Sequence, residues 1–105
     1  MGRMYEKLVR DKIPQIIEAQ GEIPLTRTLK TDEYLCSLNE KLREEMEEYL
    51  EDGSIEEMAD LIEVARAIIT ARGYSWEDVE EIRKAKAIKN GAFENRVYLI
   101  AVNKP

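Results

Sequence analysis

Carboxylates carry the densest chemistry in this sequence. Glu44, Glu45 and Glu48 fall within five residues, and Glu57 and Asp60 follow beyond a glycine at position 53. Several carboxylates brought to one point form a hard, oxygen-only cage suited to Mg²⁺ or Mn²⁺. Other routes to catalysis are closed. The chain has no histidine, which excludes imidazole acid–base chemistry and imidazole ligation. Its single cysteine, Cys36, rules out an intrachain disulfide and points to a reducing compartment. A formal charge of −6 leaves no basic surface for a nucleic-acid duplex or an anionic membrane. An anionic small molecule could bind only where a metal or a local group of cations reverses the field.

Whether the carboxylates meet depends on the elements that carry them. Thr31 and Asp32 open a long helix in which Leu35, Leu38, Leu42, Met46, Tyr49 and Leu50 recur at helical spacing, with Gly53 at its end. Ser54 opens a second helix that runs to about Arg72 and is closed by Gly73. Two long helices joined at Asp52–Gly53 are expected to form an antiparallel hairpin. At 100° per residue, Glu45 falls about 60° from Leu42, at the edge of an apolar stripe centred on Leu42, Leu35 and Met46, and Glu48 lies one turn further on the same side. Glu44 points about 160° away, toward solvent. On the second helix Leu61, Ile62, Val64, Ala65 and Ile68 define the buried side, and Glu57 lies inside it, about 40° from Leu61, with Asp60 at its edge. A fold at Gly53 makes Glu48 and Glu57 neighbours and sets Glu45 and Asp60 one turn deeper. Glu57 has a second reading, because Ser54–Ile55–Glu56–Glu57 fits a capping box in which the glutamate returns to the Ser54 amide. Glu44, Glu47, Glu51 and Glu56 read as solvated surface.

The flanking segments are shorter. Tyr5–Val9 reads as a strand or an extended arm. Asp11 can cap a helix with Pro14 in its first turn and Gly21 after it. Glu22–Lys30 reads as a loop. Ser75 caps a helix from Trp76 to Asn90, stopped by Gly91, and the β-branched and aromatic tail Phe93–Val102 reads as a lone strand or a packing arm. At 105 residues the chain is expected to be one domain, residues 1–105, with a modest core that gains burial by association. The first ten residues lack the apolar core of a signal peptide, and no run approaches the roughly 18 apolar residues of a membrane span. A soluble, cytoplasmic protein with no membrane partner is expected.

The acidic run Glu44–Glu45–Met46–Glu47–Glu48 followed by Glu57–Met58–Ala59–Asp60 resembles the EExxE…ExxD signature of the MazG-like all-α nucleotide pyrophosphatases. That superfamily also contains phosphoribosyl-ATP pyrophosphohydrolases and dimeric dUTPases. The opening Lys7–Leu8–Val9–Arg10–Asp11–Lys12–Ile13–Pro14 and the closing Gly91–Ala92–Phe93–Glu94–Asn95–Arg96 resemble the corresponding ends of a MazG-like subgroup. The resemblance implies an all-α helical bundle built on the antiparallel hairpin, with a short C-terminal strand or arm, assembled as a homodimer or homotetramer. It further implies Mg²⁺ (Mn²⁺ as an alternative) held by Glu45, Glu48, Glu57 and Asp60, with Glu44 at the motif's first position orienting water. The implied reaction is hydrolysis between the α- and β-phosphates of a nucleotide, giving monophosphate and pyrophosphate. Lys86, Asn90 and Arg83, which share a face of the last helix, and Arg10 and Lys12, which flank the first, are then candidates to bind substrate phosphates. Ordinary surface charge, or pairing with the abundant glutamates, is the competing reading for each. Tyr74 and Trp76 are expected in packing rather than stacked on a base. The glycine- and serine-containing N-terminal segment of the phosphoribosyl-ATP enzymes is missing, which disfavours that substrate. The alternative is a non-catalytic helical interaction or divalent-metal-binding module with the same fold.

Overall fold

The computed structural model describes residues 2–105, which form four helices: α1 (Ile13–Ala19), α2 (Thr31–Asp52), α3 (Ile55–Ala71) and α4 (Trp76–Asn90). There is no strand among the described residues. No helix among the described residues is long and apolar enough to cross a membrane.

The helix ends follow the local chemistry. Acidic residues Asp32 and Glu33 sit in the first turn of α2, where they complement the positive end of the helix dipole. Glu33 also accepts from the Lys30 amide at 3.2 Å and is held by Arg27. The helix stops because Gly53 adopts φ 70°, a left-handed conformation that costs a glycine little, and donates its N–H to the Tyr49 carbonyl at 2.7 Å. Ser54 then caps α3 through its hydroxyl, which accepts from the Glu57 N–H at 3.3 Å. In α4 the box is reciprocal: Ser75 Oγ accepts from the Asp78 N–H at 3.1 Å and Asp78 Oδ2 accepts from the Ser75 N–H at 2.8 Å. Asp11 does not cap α1. Lys12 occupies that position in a helical conformation with no side-chain cap, and the Ile13 N–H is satisfied by the Arg10 carbonyl instead.

Packing is dominated by α2 against α3, with a smaller contact between α3 and α4. Arg66 on α3 lies 4.7 Å from the centre of the Trp76 ring, so the tryptophan ties α3 to the start of α4. Leu38 is the one buried hydrophobe among the described residues, and Leu35, Leu42, Leu61, Val64, Ala65 and Ile68 are half-buried around the same seam. Met46 and Ile62, assigned to the buried stripes by periodicity, are exposed. A two-helix seam is narrower than the apolar stripe of either helix, so the flanks remain uncovered.

Much apolar surface is left open. Leu50, Ile55, Ile82 and Ile88 stand out from the helices, and in the tail Phe93, Tyr98 and Ile100 are almost fully exposed. Neither Phe93–Val102, read as a lone strand or a packing arm, nor Tyr5–Val9, read as a strand or an extended arm, forms a strand, since a lone strand finds no partner for its backbone groups within one chain. The accessible surface is 10030 Å², against about 6,100 Å² for a compact monomer of this mass. The radius of gyration of 19.1 Å likewise exceeds the roughly 13 Å of a compact domain of this length.

Candidate metal centre

The seam between α2 and α3 is apolar around Leu38 and acidic further along. Glu45 follows Leu38 and Leu42 along α2 and is the only charged residue buried among those described, with 6 % of its surface exposed. Its Oε1 lies 3.4 Å from the Lys41 ammonium one turn back, and its Oε2 has no partner. From α3, Glu57 presents a second buried oxygen without a partner. Its side chain does not return to the Ser54 amide, so only the serine half of the expected capping box is made. The contrast with Ser75 and Asp78 shows that the Glu57 carboxylate is not consumed in capping.

The carboxylates singled out by spacing come together in two overlapping trios. One oxygen each of Glu45, Glu57 and Asp60 lie within 4.8 Å of one another, and so do oxygens of Glu44, Glu45 and Glu48. Glu45 belongs to both. Asp60 also accepts from Arg10 Nη2 at 2.7 Å, a pair that bridges 50 residues of sequence. Glu44 lies nearer the cluster than its helical phase indicates, because the long side chain bends back along the helix toward Lys41 Nζ at 3.5 Å.

Proton affinities record the crowding. Burial pushes the Glu45 carboxyl above its ordinary value; the negative charge of Glu48 adds to this, and Lys41 partly opposes it. Glu48 is also raised, by desolvation first and then by its hydrogen bond and charge repulsion with Glu57. Like charges held this close repel, so at neutral pH the cluster stores unfavourable charge. Buried carboxylate oxygens without partners call for a cation or a proton. Oxygen-only donors from two helices, with two sequestered and unsatisfied, fit a hard divalent ion.

The cations are placed less simply. Arg83, Lys86 and Asn90 do share a face, lining an open groove of about 500 Å³ with Gly91 and Phe93 at the end of α4. That groove lies apart from the carboxylates: α4 packs on α3 and not on α2, and Arg83 is held by Glu80 at 2.8 Å. Lys12 is exposed and makes no ion pair among the described residues, whereas Arg10 lies at the acidic cluster itself. Sequence reading missed the role of Lys41 as counter-charge to Glu44 and Glu45, although its i, i+3 and i, i+4 spacing to them was the available signal. Beside the cluster, Glu6, Lys7 and Leu8 enclose a hollow of only about 50 Å³ against Ser37, Glu40, Lys41 and Glu44.

Over 42 residues, 40% of its length, the chain is 52% identical to an uncharacterized protein of Mycolicibacterium smegmatis (strain ATCC 700084 / mc(2)155). The matched stretch covers 43% of that relative, less than half of its length. No family model matches the chain, and no solved structure matches it.

Proposed function

We propose that this chain is a cytoplasmic, MazG-like, Mg²⁺-dependent nucleotide pyrophosphohydrolase that cleaves the α–β phosphoanhydride of a nucleoside triphosphate or related nucleotide to monophosphate and pyrophosphate. The observation that carries the reading is the pair of buried, unpartnered carboxylate oxygens that Glu45 and Glu57 bring from two helices to Asp60. The reading treats α2 and α3 as an antiparallel hairpin, supported by the two-residue link Gly53–Ser54 and by the juxtaposition of Glu48 with Glu57.

In this reading Glu45, Glu48, Glu57 and Asp60 hold the ion. Mg²⁺, when bound, supplies positive charge against the phosphate oxygens and acidifies water. Glu44, half-exposed at the rim, is placed to orient the attacking water and accept its proton. Lys41 limits the repulsion within the trio on α2. Arg10 brings a guanidinium to the cluster from outside the two helices, whereas the groove of Arg83, Lys86 and Asn90 lies apart from the carboxylates of the same chain.

The hollow beside the carboxylates is far below the few hundred Å³ of a nucleotide pocket, so a second copy completes the site. The exposed apolar surface supports the same conclusion, as a homodimer or homotetramer would cover it. Light scattering at micromolar concentration is expected to give two or four chains per particle; monomer alone would overturn the assembly.

Activity against a panel of nucleotides is expected to require Mg²⁺ or Mn²⁺ and to release pyrophosphate in one step. Stepwise release of phosphate from the γ end would place the protein in a different reaction class. The second reading is a helical interaction or divalent-metal-binding module, favoured by the small size, about 50 Å³, of the hollow beside the carboxylates. Mn²⁺ binding without turnover of any nucleotide would select it.

A further inference from the structure

Residues 2–10 have no helix or strand of their own, yet two features lay part of this segment along the acidic cluster. Glu6, Lys7 and Leu8 line the hollow against α2, and Arg10 reaches α3 to pair with Asp60 at 2.7 Å. Among the described residues this is the only ion pair that joins the N-terminal segment to α2 or α3. The two cations at the cluster therefore differ in kind. Lys41 sits on α2 itself, one turn from its partners, and stays with them. Arg10 stands just before α1, with its carbonyl on the Ile13 N–H, and its side chain can leave Asp60 without disturbing α2 or α3.

We infer that Arg10 is a resident counter-cation, holding the N-terminal segment on the cluster as a strap until a divalent ion displaces it from Asp60. The inference rests on the metal reading given above. The side chains of the pair are 59% and 41% exposed, and an ion pair with this access to water contributes little stability, so it exchanges readily. A divalent ion held by Asp60 and Glu45 would stand close to a guanidinium bonded to the same carboxylate, and the like charges repel. Glu45 and Glu57 supply the drive for exchange, because their sequestered oxygens have no partner and the guanidinium does not reach them. Once released, the planar fork of Arg10 remains tethered beside the cluster, with its N–H donors free for the phosphate oxygens of an incoming ligand. Ion binding and exposure of a phosphate-binding group are thereby linked through Asp60.

The test uses Mn²⁺ alone as the probe, with calorimetric titration of the full chain. Arg10→Gln is expected to bind Mn²⁺ about three- to tenfold more tightly than the wild type, because one repelled cation has been removed. Arg3→Gln, whose partner Glu22 is outside the cluster, should bind as the wild type does. In the wild type, saturating Mn²⁺ should speed tryptic cleavage after Arg10 relative to cleavage after Arg96 in the exposed tail, since trypsin must take the freed guanidinium into its own pocket. Circular dichroism of Arg10→Gln should overlay the wild type. Equal or weaker Mn²⁺ binding by Arg10→Gln, or cleavage after Arg10 unchanged by Mn²⁺, would overturn the strap while leaving the metal site standing. Absence of Mn²⁺ binding in both proteins would instead remove the metal reading, and the strap with it.

Discussion

Glu57→Gln is expected to lower divalent-ion affinity and nucleotide turnover by roughly a hundredfold or more, while leaving α3 intact. The substitution separates two roles that a glutamate can play three residues after a helix cap. In a capping box glutamine serves nearly as well, since it too can accept from the cap amide. Here the cap is made through the Glu57 backbone N–H and the Ser54 hydroxyl, and a side-chain change does not touch either group. What the substitution removes is the negative charge of a carboxylate with one buried, unpartnered oxygen, beside Glu45 and Asp60. Asp60→Asn should weaken ion binding in the same way, and it also removes the charge that holds Arg10. Glu47→Gln, on the exposed side of α2, should change neither property. Normal Mn²⁺ affinity and normal turnover in both the Glu57 and Asp60 variants would sink the assignment of the site.

The parts of this arrangement that could be read from sequence are those set by local chemistry. Gly53, Ser54, Gly73, Ser75 and Gly91 mark helix ends because left-handed backbone and hydroxyl caps are local requirements, and the boundaries of α2, α3 and α4 fall where these residues stand. Helical phase put Glu45 at the edge of an apolar stripe, and it is the most buried carboxylate of the cluster. Phase misjudged Glu44, because it treats a side chain as a spoke and ignores the rotatable bonds that let a glutamate bend along its helix. It also assigned Met46 and Ile62 to a core that two helices are too narrow to form. The Arg10–Asp60 pair had no local signature, since nothing in a linear pattern fixes which of many acidic residues a distant arginine meets. In the tail, β propensity was read without a partner strand, and propensity alone does not satisfy a backbone.

Replacing Glu45 by methionine, close to it in size and shape, is expected to stabilise the metal-free chain at pH 7 by about 1–3 kcal/mol and to abolish stabilisation by Mg²⁺. The argument turns on the sign of the proton linkage. Burial raises the Glu45 carboxyl, and desolvation with Glu57 raises that of Glu48, both above the ordinary 4.5. The folded chain therefore holds these protons more tightly than the unfolded chain does. Their stabilising contribution is complete below about pH 4.5 and is lost as pH rises through the elevated values. Glu33, Asp78 and Glu80, lowered by hydrogen bonds and ion pairs, act in the opposite sense. They titrate below their ordinary values, so the window above pH 4.5 belongs to the cluster. Metal-free wild type should thus show a falling urea midpoint between pH 4.5 and 7, and Glu45→Met a shallower fall, both at one protein concentration so that association is held fixed. Mg²⁺ is expected to bind the deprotonated cluster, and at a hundredfold excess over its dissociation constant to add about 2.7 kcal/mol to the wild type. The variant, having lost the carboxylate common to both trios, should gain almost nothing. A Glu45→Met protein less stable than wild type at pH 7 without metal, or stabilised equally by Mg²⁺, would show that Glu45 is satisfied by Lys41 alone and that the cluster is not an ion site.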